Sequence, residues 1–344
     1  DENSDLAIKK TDFINVITTR LPFKPRSLFR NLIIYFYFHI QSLNKFLSVN
    51  QNRPKIIISV GSYPTGIFVN ILLKLYNNID DIAHYIWLRT TLSSFLYTRE
   101  SNRLRSAILK QEKMALQNAD LIISNGIDTK NNYLRLYGID SFVIPNALNL
   151  TRFDQVDELK FGKDRIRIAF IGRFFENKGI IDFCQAIDIF NDRYLDLSQH
   201  VEFVFVGWGN DEVLDFIDRC KNCHYWGEVR NEEMIDVLNR IHCGMALTKA
   251  SKTSAGGSGV SNGLLELMAS GRIIAAYDNE IFRQFDRQDS FVYIKEGDIE
   301  GLAMFFAELV SRPESFLHFA QLAQDHSSEF SIERHLDLLA QCLL

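Results

Sequence analysis

Leu247–Asp278 reads LTKASKTSAGGSGVSNGLLELMASGRIIAAYD: a loop of glycine, serine and threonine, a helix with a single acid, Glu266, and an apolar strand. Gly256, Gly257, Gly259 and Gly263 let the backbone take positive φ and come close to a ligand. The N–H groups that open the next helix have no acceptor within it and form an anion site. That helix buries Leu264, Leu265, Leu267 and Met268 and is expected to stop at Gly271. The apolar run Ile273–Ala276 reads as a strand covered on both faces, as in a parallel sheet. Taken alone, a glycine-serine stretch is equally a flexible loop, so the decision rests on its neighbours.

Upstream, Ile166–Ile171 (IRIAFI) reads as a strand that ends in Gly172-Arg173, and Lys178-Gly179 opens a helix expected to reach Phe190. Two cations and a helix N-terminus thus meet at the carboxyl edge of a sheet, where a diphosphate would be neutralised. A pair of solvated surface cations is the plain alternative. Strands expected at Val201–Val206, His224–Trp226 and Gly244–Leu247 alternate with helices, giving a doubly wound α/β sheet. Helices Ile299–Ser311 and Ser331–Leu343 end the chain. In the first half, residues 1–10 read as polar and loose, with a strand at Phe13–Thr18 and a helix at Leu28–Val49. The strand Lys55–Val60 leads into Gly61 and Ser62, a helix covers Gly66–Leu75, and the strand His84–Leu88 leads into Arg89. A helix at Arg99–Gln117, a strand at Ala119–Ser124, a helix at Asp128–Tyr137 and the segment Ser141–Pro145 follow. The expected domains are residues 1–150 and 151–330, with 331–344 a C-terminal helix packing back on the first.

The spacing Gly-Arg-x4-Lys-Gly at Gly172–Gly179, with Glu266 and the helix end Ala269-Ser270-Gly271, resembles family 4 glycosyltransferases. Asp120, Ser124, Tyr137-Gly138 and Val143–Asn146 stand in the order that family shows in its first domain. The resemblance implies the glycosyltransferase B fold, two Rossmann-like doubly wound domains facing across a cleft, with the donor on the second and the acceptor on the first. It implies a retaining, metal-independent transfer with no cofactor, the nucleotide-diphosphate sugar being a co-substrate. Arg173 and Lys178 would hold the diphosphate and Glu266 the ribose hydroxyls, and these three are the catalytic candidates. Gly172, Ser258 and the backbone of Gly259, Val260, Ser261 and Asn262 would line the donor, and Tyr225–Arg230, with Val229, would face the base. Gly61, Ser62 and Arg89 are candidates on the acceptor side. Ser258 stands where the family has the first of two glutamates, and a shorter uncharged side chain cannot hold sugar hydroxyls in the same way. A nucleotide-sugar-binding partner without activity is therefore an alternative. The family also begins with a strand and glycine-rich turn that this sequence does not show, so the chain is expected to start inside its first domain. The implied setting is bacterial surface polysaccharide or lipopolysaccharide synthesis on the cytoplasmic face, with a saccharide or lipid-linked acceptor.

Composition is compatible with this. The 344 residues are 47% apolar and 24% charged, enough for two cores and unlike a disordered or integral membrane chain. The net charge of −5 divides into +7 over residues 1–150 (18 Lys/Arg, 11 Asp/Glu) and −12 over 151–344 (20 against 32), and no nucleic-acid partner is expected. Asn31–Leu47 is apolar but broken by His39, Gln41, Asn44 and Lys45. It reads either as a half-buried helix or as one lying on an anionic membrane surface, with Lys24, Arg26 and Arg30 before it. Five scattered cysteines with no secretory signal point to free thiols in a reducing, cytoplasmic setting.

Two other motifs compete. Gly259-Val260-Ser261-Asn262-Gly263 matches the nucleophile elbow of serine hydrolases, with His318, His326 and His335 later in the chain, although an elbow needs a strand ending directly at the serine. Cys220-Lys221-Asn222-Cys223-His224 matches a haem-attachment pattern and, with His242 and Cys243, could suggest zinc, although a helix end leading into a strand explains it as well.

Overall fold

The computed structural model describes residues 7–10, 15–18, 36–44, 55–75, 82–89, 91, 102–162, 165–209, 211–250, 261–283, 286 and 289–343. The chain divides into two compact units, residues 1–123 with 133–141, and 124–132 with 142–344.

In the first unit, β1 (Ala7–Lys10) and β2 (Asn15–Thr18) pair antiparallel in the register Ala7↔Thr18. For residues 7–10 this corrects the expectation of a loose segment, backbone pairing overriding their composition, and residues 1–6 lie outside the described residues. Residues 36–44 are helical, and the rest of the expected Leu28–Val49 helix lies outside the described residues. Strands β3 (Lys55–Val60) and β4 (Ile82–Leu88) are parallel, Lys55 opposite Ile82. The strand β5 (Leu121–Ser124) and the two-residue β6 (Phe142–Val143) complete a sheet of order β3-β4-β5-β6. The helices Ile67–Leu75 and Asn102–Gln117 supply Ile67, Ile108, Ala115 and Leu116 to a core with Ile86 and Leu88.

The second unit holds a six-stranded sheet of β7 (Ile166–Phe174), β8 (Val201–Gly209), β9 (Cys223–Gly227), β10 (Cys243–Ala246), β11 (Ile273–Asp278) and β12 (Val292–Lys295). Its order is β12-β11-β10-β7-β8-β9, and every neighbouring pair is parallel. Both faces are covered, so the strands read as apolar runs: Ile273 to Tyr277 are all fully buried. On one face the helices Ile180–Arg193 and Ile299–Ser311 meet the sheet through an aromatic cluster. The Phe306 ring lies 5.1 Å from Phe203 and 5.8 Å from Phe183, and Phe183 lies 5.3 Å from Phe205. The helix Asn262–Ala269 buries Leu264, Leu265, Leu267 and Met268 and ends at Gly271, whose φ of 61° is the left-handed closure that glycine takes without strain.

Besides β1, the sequence reading missed β12, the helix Leu317–Ser327 and the short helices Leu195–Ser198 and Glu280–Arg283. The expected Ser141–Pro145 segment contracts to two strand residues, and most other elements fall within a few residues of expectation.

Candidate functional site

In the six-stranded sheet the chain runs outward from β7 through β8 to β9, then returns to the other flank with β10, β11 and β12. The direction of winding reverses between β7 and β10, and at such a point the crossover segments leave to opposite sides and open a crevice at the strands' carboxyl ends. Gly172 and Arg173 lie at the end of β7 there, and Lys178 follows on a short 3-10 turn before the helix Ile180–Arg193. Thr248 and Lys249 follow β10 on the other side, and the helix that begins after Ser261 comes next.

The close approach of β7 and β8 at this edge depends on Gly207. A Cβ at that position would stand 1.9 Å from the Gly172 carbonyl oxygen, and its φ of 134° lies where glycine alone is at ease. Arg173 is exposed, with its guanidinium carbon 5.2 Å from the Phe175 ring, which meets Trp208 edge-on at 5.7 Å. Lys178 is half-buried, and its amine donates to the Thr248 hydroxyl at 3.4 Å. Loss of water, and then the neighbouring Arg173 charge, hold the Lys178 pKa below the ordinary lysine value. A desolvated cation beside a second cation is stabilised by an incoming anion.

The loop beyond β10 is tied down from several sides. Lys249 pairs with Asp182 Oδ1 at 2.8 Å, and the Tyr277 hydroxyl donates to Asp182 Oδ2 at 2.5 Å. The Lys249 N–H donates to the Asn177 carbonyl at 3.0 Å, linking the β10 loop to the turn that carries Lys178. Asn279 Nδ2 donates to the Thr248 carbonyl at 3.0 Å and to Glu296 at 2.7 Å, and the Ala250 N–H reaches the same Glu296 oxygen at 2.9 Å.

Ser261 caps the next helix, its hydroxyl accepting the Leu264 N–H at 3.2 Å. Asn262 and Gly263, in the first turn, have N–H groups with no intrahelical acceptor by position. Ser258, Gly259 and Val260 lie outside the described residues. Glu266 is buried, and burial raises its pKa, opposed by attraction to Arg152. Arg152 is held by Asn231, through Oδ1 at 2.8 Å and the carbonyl at 2.6 Å. Val229 is half-buried after β9, and on β9 the Tyr225 hydroxyl donates to the Gly207 carbonyl at 2.8 Å.

In the first unit Gly61 and Ser62 follow β3 and Arg89 follows β4, where its side chain is exposed. Ser62 is committed elsewhere. Its hydroxyl donates to buried Glu112 Oε1 at 2.5 Å, which also accepts from Tyr133 at 2.7 Å, while Glu112 Oε2 accepts from Tyr137 at 2.8 Å.

The sequence reading missed Arg152, Asp182, Thr248, Lys249, Tyr277 and Glu296. Thr248 and Lys249 could have been found from their place at a strand's carboxyl end; the others carry no local signal. The serine-hydrolase reading finds no support: Ser261 is a helix cap, and among the described residues the strand before it, β10, ends fifteen residues earlier. His318, His326 and His335 engage Ser315, Asp286 with Glu329, and Pro145 respectively. His242 accepts the Arg167 N–H at 3.0 Å and stacks on Phe161, a structural role rather than a partnership with Cys220 and Cys223.

Residues 165–312 match the family model described as Glycosyl transferases group 1. The matched segment runs from the start of β7 through the helix after β12 and contains Arg173, Lys178 and Glu266. No curated protein matches the chain. Among solved structures, sucrose-phosphate synthase from Thermosynechococcus elongatus is similar with a TM-score of 0.72 at 16% identity, over 99% of this chain and 85% of that one. HepE from Anabaena, solved with UDP, gives 0.67 at 13%, over 88% and 81%. TarM gives 0.64 at 15%, over 91% of this chain and 58% of that one. The α/β fold, with parallel sheets and covering helices, is that of glycosyltransferase B structures.

Proposed function

We propose that the protein is a retaining glycosyltransferase that moves a sugar from a nucleoside-diphosphate sugar to a saccharide or lipid-linked acceptor. The observation that carries this reading is the desolvated Lys178 beside Arg173 at the point where β7 and β10 part, its amine on the Thr248 hydroxyl after β10. Arg173 and Lys178 neutralise the diphosphate, and the N–H groups after Ser261 receive the phosphate nearest the sugar. Glu266 accepts from the ribose hydroxyls, and the segment through Val229 lies against the base. The charge that develops on the leaving diphosphate then meets fixed cations and amides, the work a bound metal does elsewhere. The group 1 match over residues 165–312 and the UDP bound by HepE support a nucleotide-sugar donor. A hexosyl or N-acetylhexosaminyl donor and a place in bacterial surface polysaccharide synthesis complete the reading.

Incubation with a panel of nucleotide sugars, with and without chelator, tests it. Release of nucleoside diphosphate from one donor, unaffected by chelator, is expected, and release from none would overturn the activity. The second reading, a donor-binding protein without transfer, rests on Ser258 and predicts calorimetric binding of a nucleotide sugar without turnover. Among the described residues no helix is long and apolar enough to cross a membrane. A lipid-linked acceptor would be met through the basic stretch Lys24, Arg26 and Arg30. Salt-sensitive sedimentation with anionic but not neutral vesicles is then expected, and equal, negligible binding to both would remove the membrane from the proposal.

A further inference from the structure

Away from the donor crevice, at the amino ends of the same strands, lies a cavity of about 650 Å3. Arg165, just before β7, and Cys220 to Asn222, just before β9, line it together with Arg219 and Asn191. The volume suits a small organic ligand, and Arg219 and Lys221 outweigh its one lining acid, Asp188, while Arg165 is paired with Glu202 at 3.5 Å. Its reactive feature is a pair of thiols. Cys223, buried at the start of β9, has its Sγ against Cys220 Sγ, and the half-buried Cys220 faces the cavity. Cys220 in turn donates to Asn222 Oδ1 at 3.2 Å and accepts from Asn191 Nδ2 at 3.5 Å. Asn191 and Asn222 lock each other through two reciprocal amide bonds of 3.0 Å.

We propose that Cys220 and Cys223 form an oxidisable dithiol whose cavity admits a small anionic disulfide of the glutathione class. The Cys220 thiolate attacks one sulfur of the incoming disulfide, that S–S bond breaks, and the first thiolate leaves. Cys223 then gives up its proton and attacks the Cys220 sulfur of the mixed disulfide, expelling the second thiolate and closing a Cys220–Cys223 bond. Two protein thiols are oxidised, one small disulfide is reduced to two thiols, and the two protons end on those thiols. The division of labour follows from position. Cys220 is open to the cavity, and hydrogen bonding from Cys223, then from the Asn222 backbone and Asn191, lowers its pKa against the opposing effects of burial and Asp188. Cys223 is buried, and desolvation raises its pKa, so it acts as the resolving thiol. The inference is independent of the donor reading.

The test is incubation of the full chain with oxidised glutathione, followed by alkylation under denaturing conditions, intact mass and peptide mapping. The expected product lacks two hydrogens and resists alkylation at both Cys220 and Cys223, while Cys184 and Cys243 remain alkylatable. Cys223→Ser should stop at one glutathione on Cys220, and Cys220→Ser should leave position 223 unmodified. Cations around the cavity should make oxidised glutathione react roughly tenfold faster than neutral hydroxyethyl disulfide at low salt, a preference reduced by Arg219→Gln with Lys221→Gln. Wild-type protein that keeps both thiols alkylatable overturns the dithiol, a reading that needs no variant to fold. Modification of Cys223 in Cys220→Ser overturns the assigned order, and equal rates with the two disulfides overturn the anionic ligand.

Discussion

The Lys178 amine lies 3.4 Å from the Thr248 hydroxyl, so a cation carried by the turn after β7 is held by the loop after β10. A neutral hydroxyl is a modest partner for a desolvated ammonium, and the position favours an anion. Lys178→Met keeps the aliphatic stem and removes the charge. Calorimetry should show nucleoside-diphosphate affinity falling by roughly 1.5–3 kcal/mol, the scale of a hydrogen bond to a charged group, with the unliganded Tm unchanged or higher. Undiminished affinity would separate Lys178 from the diphosphate.

The same amine should report binding through protons. Its pKa is lowered by burial and by the Arg173 charge, and a bound diphosphate raises it. At alkaline pH, where part of the population has lost its proton, binding should take up protons. Titrations in buffers of different ionisation enthalpy measure this, and Lys178→Met should abolish it. Proton release on binding would contradict the assignment.

Glu266 is the one acid of its helix and is buried facing the Arg152 charge. Glu266→Ala should weaken a ribonucleotide about tenfold, a hydrogen-bonded carboxylate's worth, and weaken the 2′-deoxy and 3′-deoxy analogues, each with one hydroxyl fewer to lose, by less. Equal losses across all three sugars would place Glu266 away from the ribose.

Ser261 serves as a cap rather than a nucleophile. Ser261→Ala should cost about 1 kcal/mol in chemical denaturation and leave most transfer activity in place. A fluorophosphonate should not label the wild-type protein, and stoichiometric labelling at Ser261 would reopen the hydrolase.

His84 lies buried on β4, with Nε2 2.8 Å from the Ser59 hydroxyl. Burial, opposed by Asp120, lowers its pKa from 6.5 to about 4. The folded protein therefore binds fewer protons than the unfolded chain between these values, and stability should fall as pH drops from 6.5 to 4, by at most about 3 kcal/mol. Below that window the contribution levels off. His84→Gln should flatten this part of a denaturation-against-pH profile; an unchanged slope would mean that His84 titrates normally.

The strands legible from sequence were those whose burial on both faces leaves an apolar run, such as Ile166–Ile171 and Ile273–Ala276. The edge strand β12, VYIK, is too short for such a run and follows a polar stretch. The helix Leu317–Ser327 buries the small residues Ala320 and Ala323 and a histidine, a weak apolar stripe. Within the candidate site, the Arg173–Lys178 spacing was visible because the two stand five residues apart, at a strand end and on the turn that follows it. Asp182 and Lys249 meet across 67 residues, and no local pattern in either segment announces the other. Ser62 looked available at a strand end, and only the fold reveals the buried Glu112 that takes its hydroxyl.

The central strand β7 draws both of its neighbours from later in the chain, β8 promptly and β10 much later. During synthesis, Lys178 leaves the ribosome 91 residues before Ala269 completes the facing helix. At typical elongation speeds that interval is roughly 5–18 s. Until β10 has emerged β7 has one flank without a partner, and until Ala269 the helix after Ser261 is incomplete. Nascent chains arrested before Ala269 should therefore retain no nucleotide, and the same exposed flank marks where a chaperone would find this protein before its own sheet is closed.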